Sequence, residues 1–276
     1  MHLTRPTKLL ASLAVLLVCG LLTATPAAAD HAEPGEHVLG HRCRTDARAA
    51  SNENTVAALI DTAGMPGAVC EIDAWRIADG TVIVFHDGTW NRIADPATLP
   101  AGVGARDRVT AATWDQVRQI RTRGGRPVPT LQQMIDAAAR YGIPLVVDIR
   151  NTLSDPAGLV GYANARGADV RYYQPVPNSC TTRHIDRFRA AGATVGVKLL
   201  SSCRPSPAQL QAWGVSFTQE LSFLLTDPYL AEMDQRGIDV GVLDRGMTET
   251  LAESLVARGV DRVLLDRPRE ALTWFN

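Results

Sequence analysis

The chain has 276 residues, 46% of them hydrophobic and 21% charged, with a formal net charge of −1. No basic block stands out, which argues against a nucleic-acid partner, and the length suits one large domain. Residues 1–29 read as an export leader. Arg5 and Lys8 make a positive start, Leu9 to Leu22 is almost wholly apolar, and Ala27-Ala28-Ala29 precedes Asp30 as a small-residue cleavage site. The apolar run is short for a membrane span and has no charged stop-transfer flank, so no stable membrane insertion is expected. Val18 before Cys19 does not suit a lipoprotein signal. Cleavage near Ala29 would leave a secreted chain of 247 residues with 26 basic and 29 acidic side chains, in which only Lys198 is lysine. The arginine bias, beside abundant alanine, reads as genome composition. Four cysteines remain, Cys43, Cys70, Cys180 and Cys203, none in a C-x-x-C. An even count in an exported chain suggests disulfides. Three pairings are possible. Cys43–Cys70 with Cys180–Cys203 is favoured, because each pair would lie near the ends of consecutive strands.

Apolar strand-like runs then alternate with helical ones. Strands are expected at 37–41, 69–75, 81–85, 144–149, 169–174, 194–200, 215–221, 238–243 and 261–265. Helices are expected at 53–63, 130–140, 181–191, 206–213, 227–236 and 247–258. Glycines at 142, 192, 237 and 259 punctuate the joins. Such alternation predicts a parallel α/β sheet, most simply a single-domain (β/α)8 barrel over residues 30–276. Nine runs are one too many for eight barrel positions. Asp79-Gly80 is a hairpin signal, so one of the two runs flanking it is not an independent barrel strand. Residues 88–128, rich in proline and glycine, break the rhythm and read as an insertion over the barrel mouth that helps form a cleft.

The chemistry-bearing residues gather early. H-R-C at 41–43, E-N-T at 53–55, E-I-D at 71–73 and H-D at 86–87 sit where apolar runs end or amphipathic ones begin. A barrel exposes its active groups at such places. Glu71 and Asp73 are two apart on one strand, hence on one face, roughly 7 Å apart along the backbone. Two oxygen ligands on one face suit a hard cation such as Mg²⁺ or Ca²⁺. Flanking Val69, Cys70, Ile72 and Trp75 point to burial, where unpaired carboxylates are costly. His41 and His86 offer a base and an acid near neutral pH. Glu53 and Asn54 are expected to open a helix, so capping competes with a direct site role. Lys198, in V-G-V-K-L-L, would reach the lumen if inward; snorkelling at a strand end is the alternative. His31, His37 and His184 have no supporting pattern and read as surface residues. G-x-S-x-G, H-E-x-x-H and G-x-x-x-x-G-K-[ST] are absent from the sequence.

These ordered motifs resemble those of the glycerophosphodiester phosphodiesterase family, whose chains carry H-R-G, E-N-T, E-x-D and H-D in turn. V-P-T-L at 128–131, D-I-R at 148–150 and L-D-R-P at 265–268 resemble later family segments. The resemblance implies a TIM barrel with His41 and His86 as the acid–base pair. It also implies that Glu71, Asp73 and Asp148 ligate one divalent cation, and that Arg42 contacts the phosphate. Arg150 stands where the family usually has lysine, and Asp148 is one methylene shorter than the usual glutamate. An aspartate third ligand also occurs in the related sphingomyelinase D-like phospholipases. Arginine can still grip a phosphate with two donors. Cys43 replaces a glycine, and Y-Y-Q at 172–174 and V-L-D at 242–244 stand where pocket-shaping S-F and W-T motifs are expected. The implied activity is secreted hydrolysis of glycerophosphodiesters to glycerol 3-phosphate and an alcohol. Small phosphodiesters or lysophospholipids would be the substrates. The alternatives are a phospholipase D or sphingomyelinase D-like enzyme releasing a cyclic phosphate, and a non-catalytic binding module on the same barrel.

Overall fold

The computed structural model describes residues 37–45, 51–182, 185–200, 202–244 and 246–275. The leader at 1–29 with its cleavage site, His31 and His184 lie outside the described residues. Nine strands occur among the described residues: β1 (Val38–Gly40), β2 (Val69–Arg76), β3 (Val82–Val84), β4 (Leu145–Ile149), β5 (Val170–Pro175), β6 (Thr194–Lys198), β7 (Phe217–Glu220), β8 (Asp239–Leu243) and β9 (Arg262–Leu265). Each lies within two residues of an expected run. The helices are α1 (Val56–Thr62), α2 (Trp114–Val117), α3 (Leu131–Tyr141), α4 (Pro156–Asn164), α5 (Ile185–Ala190), α6 (Pro207–Ala212), α7 (Asp227–Gln235), α8 (Glu249–Ala257) and α9 (Pro268–Ala271). No helix among the described residues is long and apolar enough to cross a membrane.

Eight parallel strands close into a barrel, because β1 pairs with both β9 and β2. The ninth run resolves as the hairpin signal requires. β3 folds back antiparallel on β2, with Ala74 opposite Val84, through a turn at Asp79-Gly80 where Gly80 takes φ 89°. Asp79 secures this turn by accepting the Thr81 and Trp114 amides at 3.0 and 2.6 Å.

Alternation along each strand sorts its side chains into two layers. Cys70, Ile72, Leu145 and Val147 join the core between strands and helices, whereas Val69, Val146, Tyr173, Phe217 and Leu264 fill the lumen. Gly196 is required there, since a Cβ would drive into the Phe217 ring. Residues 88–128 build a separate core on the hairpin, with Trp90, Val109, Val117 and Ile120 packed against Ile83 and Phe85. α4 was not expected from the sequence. It starts at Pro156 with Asp155 accepting the Gly158 amide, and its glycines at 158 and 161 weaken the helical signal. Burial of Leu159, Val160 and Ala163 overrides that weakness.

Candidate active site

The acidic floor follows from strand register. Inward alternation on β2 presents Glu71 and Asp73, and the β2–β4 pairing sets Asp148 opposite Asp73. One oxygen from each of these buried carboxylates lies within 4.8 Å of the others. Glu71 accepts the Arg42 amide at 3.0 Å and the Tyr173 hydroxyl at 2.7 Å. Asn54 braces Asp73 twice, its Nδ2 donating to Oδ2 at 2.9 Å and its Oδ1 accepting the Asp73 amide at 3.1 Å. Asp148 Oδ2 takes Lys198 Nζ at 2.6 Å and Arg150 at 3.0 Å. Its buried Oδ1 has no hydrogen-bond partner among the described residues.

The electrostatics of this floor are those of a partly neutralised anion cluster. Burial, then repulsion from Glu71 and Asp148, pushes Asp73 up to about 6. Burial also works to raise Glu71, but the charges of His41 and Lys198 and the bonds from Tyr173 and Arg42 hold it below its ordinary value. For Lys198 burial opposes the charge, yet Asp148, Glu71 and Asp73 outweigh it and keep the ammonium protonated. Burial and the same carboxylates hold the Tyr173 hydroxyl as a donor. Three converging carboxylates with an orphaned oxygen fit a hard divalent cation, the oxygen-only donor set such ions take.

Two histidines stand over this floor, each on its own carboxylate. His41 opens a tight turn after β1 in which Arg42 and Cys43 both take left-handed φ, 59° and 55°. That conformation is uncommon for side-chain-bearing residues. A disulfide joins Cys43 to Cys70, with Cα atoms 4.8 Å apart, and ties the turn to the strand that carries Glu71. His41 Nδ1 meets Asp266 Oδ1 at 2.7 Å, and Arg44 reaches the same oxygen at 2.8 Å. The His41 bond, against a smaller opposing effect of burial, draws Asp266 down to about 2. His86 follows β3 and meets Asp87 at 2.6 Å. Burial would raise Asp87, but the bonds from His86 and Arg92 bring it well below the usual carboxylate range. Arg92 continues from Asp87 to Glu53 at 2.6 Å, and Glu53 accepts Arg42 at 3.0 Å. One ionic chain therefore links His86 to Arg42.

A cavity of about 620 Å³ opens above the floor, and His41, Arg42, Asp73, His86, Arg150 and Lys198 line it. Glu71 and Asp148 lie beneath. Lys198 points inward rather than snorkelling. Cys180–Cys203, the other expected pairing, joins the loops after β5 and β6. His37 caps the Asp261 carbonyl at 2.8 Å and packs on Phe275. Two expectations are corrected. Glu53 and Asn54 do not open a helix: Asn54 takes φ 60°, and α1 begins at Val56 behind a Thr55 cap. The 88–128 insertion contributes none of the cavity-lining residues and touches the site through Arg92 instead. Sequence reasoning missed Asp266, Arg92 and Tyr173. A catalytic histidine commonly needs an orienting carboxylate, and that requirement was the available signal for Asp266.

The glycerophosphoryl diester phosphodiesterase family model matches residues 41–192, more than half of the chain. No curated protein sequence matches. Solved structures share the barrel. An Oleispira antarctica phosphodiesterase in complex with the product sn-glycerol-3-phosphate is 16% identical, with TM-score 0.69, over 86% of this chain and 96% of its own. A glycerophosphodiester phosphodiesterase from Agrobacterium tumefaciens is 18% identical, with TM-score 0.67, over 85% and 98%. One from Parabacteroides distasonis is 16% identical, with TM-score 0.67, over 87% and 97%. At these identities the likeness establishes a common fold, and the family match establishes the lineage. The chain belongs to the glycerophosphoryl diester phosphodiesterase family, whose members are phosphoric diester hydrolases.

Proposed function

We propose that this chain is an exported, divalent-cation-dependent phosphodiesterase that splits glycerophosphodiesters into glycerol 3-phosphate and an alcohol. One observation carries the reading: two carboxylate-anchored histidines share a cavity with three convergent buried carboxylates. Glu71, Asp73 and Asp148 would hold Mg²⁺ or Ca²⁺, which when bound polarises the phosphoryl group and offsets developing charge. Arg42, Arg150 and Lys198 bind the phosphate. With Nδ1 of each imidazole engaged by a carboxylate, Nε2 is the atom that exchanges a proton. His41 removes the proton from the attacking oxygen, and His86 delivers one to the departing alcohol, whose alkoxide is otherwise a poor leaving group. Asn54 and Glu53 support the site through Asp73 and Arg42. The leader-like residues 1–29, ahead of a catalytic barrel spanning 30–276, and the two disulfides support export. Glycerol 3-phosphate bound as product in the Oleispira structure supports the substrate class.

Phosphorus NMR of a glycerophosphodiester incubated with the purified protein tests this. Glycerol 3-phosphate should form, and chelation should stop it. A stable cyclic phosphate product would favour the phospholipase D-like route. No turnover of any diester with cation present would leave a binding module.

A further inference from the structure

The cavity is divided by strand order. His41, Arg42, Asp73, His86 and Arg150 come from the ends of β1 to β4 and form a charged arc. The opposite arc, from the ends of β5, β6, β8 and β9, is mostly apolar, with Leu200, Leu243, Met247 and Trp274 beside Asp244, Asp266 and Arg267. Lys198, on β6, reaches from this arc to Asp148 on β4. A phosphodiester has two ester arms. With its phosphorus among Arg42, Arg150 and Lys198, one arm must leave across the apolar arc.

Two of the charged groups on that arc are carboxylates, and both accept hydrogen bonds. Asp244 accepts the Ser222 hydroxyl on Oδ2 at 2.5 Å and the Gly246 amide on Oδ1 at 2.9 Å. Asp266 is paired with Arg44 and bonded to His41, whereas Asp244 accepts only neutral donors and keeps its charge. An aliphatic group would find contact surface, since Leu200 lines the cavity at 40% exposure and its neighbours continue the apolar wall. The wall also reaches the rim. The Ser222–Asp244 bond fastens to the cavity edge the short turn Ser222–Leu224, which holds Phe223 78% exposed. An exposed aromatic so placed extends the same surface outward.

We infer that the apolar part of this arc is a subsite for an aliphatic ester arm, so that diesters with a longer alkyl arm are preferred over those with a short one. This rests on the phosphodiesterase reading above and names the substrate class of that site. Each methylene buried in such a wall strengthens binding about three- to fourfold until the wall is filled.

Two measurements on the full protein, with Mg²⁺ or Ca²⁺ present, separate the inference from the reading beneath it. Calorimetry with n-alkyl phosphates from ethyl to octyl, below their micelle concentrations, needs no turnover. Affinity should climb with chain length, and Leu200→Ser and Met247→Thr should each flatten the climb. Turnover of glycerophosphodiesters bearing ethyl, butyl or octyl arms should rise in that order in kcat/KM. Flat affinity across the series, an unaltered slope in both variants, or a preference for the ethyl arm would overturn the subsite. Rising affinity with no turnover of any diester would uphold the subsite and overturn the phosphodiesterase reading.

Discussion

Both ends of this barrel hold charges inside the lumen, and they treat them differently. At the amino-terminal end Arg171 lies 3.6 Å from Asp169 and 3.8 Å from Asp239, which is also 4.0 Å from Arg262. Signs alternate there, and both aspartates are about half exposed. At the carboxyl-terminal end Glu71, Asp73 and Asp148 converge in full burial, and one carboxylate oxygen has no hydrogen-bond partner among the described residues. A mixed-sign, solvated cluster is worth little either way. Buried carboxylates that Lys198 and Arg150 offset only in part are costly, which marks them as candidates for a functional role. The difference sets a solvated plug apart from the proposed site within one set of strands.

The largest effects should come from the upper end. His86→Ala and His41→Ala should each lower kcat by about 10²–10⁴-fold, the usual loss for a general acid or base. Only His86→Ala should recover on a diester with an activated aryl leaving group, which needs no acid. Equal recovery of both variants would reverse or remove the assigned roles.

Stability should show the cost of the floor directly. The folded-state pKa of Asp73 lies above its ordinary value, so folding favours its protonated form. In cation-stripped protein, stability should fall as pH rises from about 4 to about 6 and remain lower above that, by about 3 kcal/mol. Asp73→Asn should remove this slope and raise the neutral-pH stability of stripped protein, with loss of activity. Denaturant titrations across that range read both, and parallel profiles would show that the carboxylates are already compensated.

Arg92 sharpens the comparison, because it couples the insertion to His86 and Arg42 through Asp87 and Glu53. Arg92→Met should cost about tenfold in kcat/KM, the equivalent of one charge-assisted hydrogen bond. The loss should be greater for alkyl than for aryl leaving groups. A uniform loss matched by a lower Tm would make Arg92 merely structural. The smallest effect belongs to the lower end: Asp239→Asn should change stability by less than about 1 kcal/mol and leave turnover as it was. A severe activity loss there would end the contrast between the two ends.

Much of this was legible locally. Apolar runs punctuated by glycine located the nine strands of the described residues, and Asp79-Gly80 identified the surplus one. E-x-D spacing on a strand placed two carboxylates on one face before any register was known. What stayed hidden depends on closure of the chain. Asp266 meets His41 across 225 positions, only because β9 pairs with β1. Asn54 looked like the start of a helix because E-N-T precedes an amphipathic run, yet its left-handed backbone turns the side chain down to Asp73. The insertion's rhythm suggested a cleft wall, but Trp90 and Ile120 draw it onto the hairpin instead.

The central claim, that the upper carboxylates exist to hold a catalytic cation, is tested most directly by titrating Mg²⁺ or Ca²⁺ into chelator-stripped protein while following diester turnover. Stripped protein should be inactive, its activity returning in step with the filling of a single site, with no such recovery in Glu71→Gln. Full turnover by the stripped protein would contradict it.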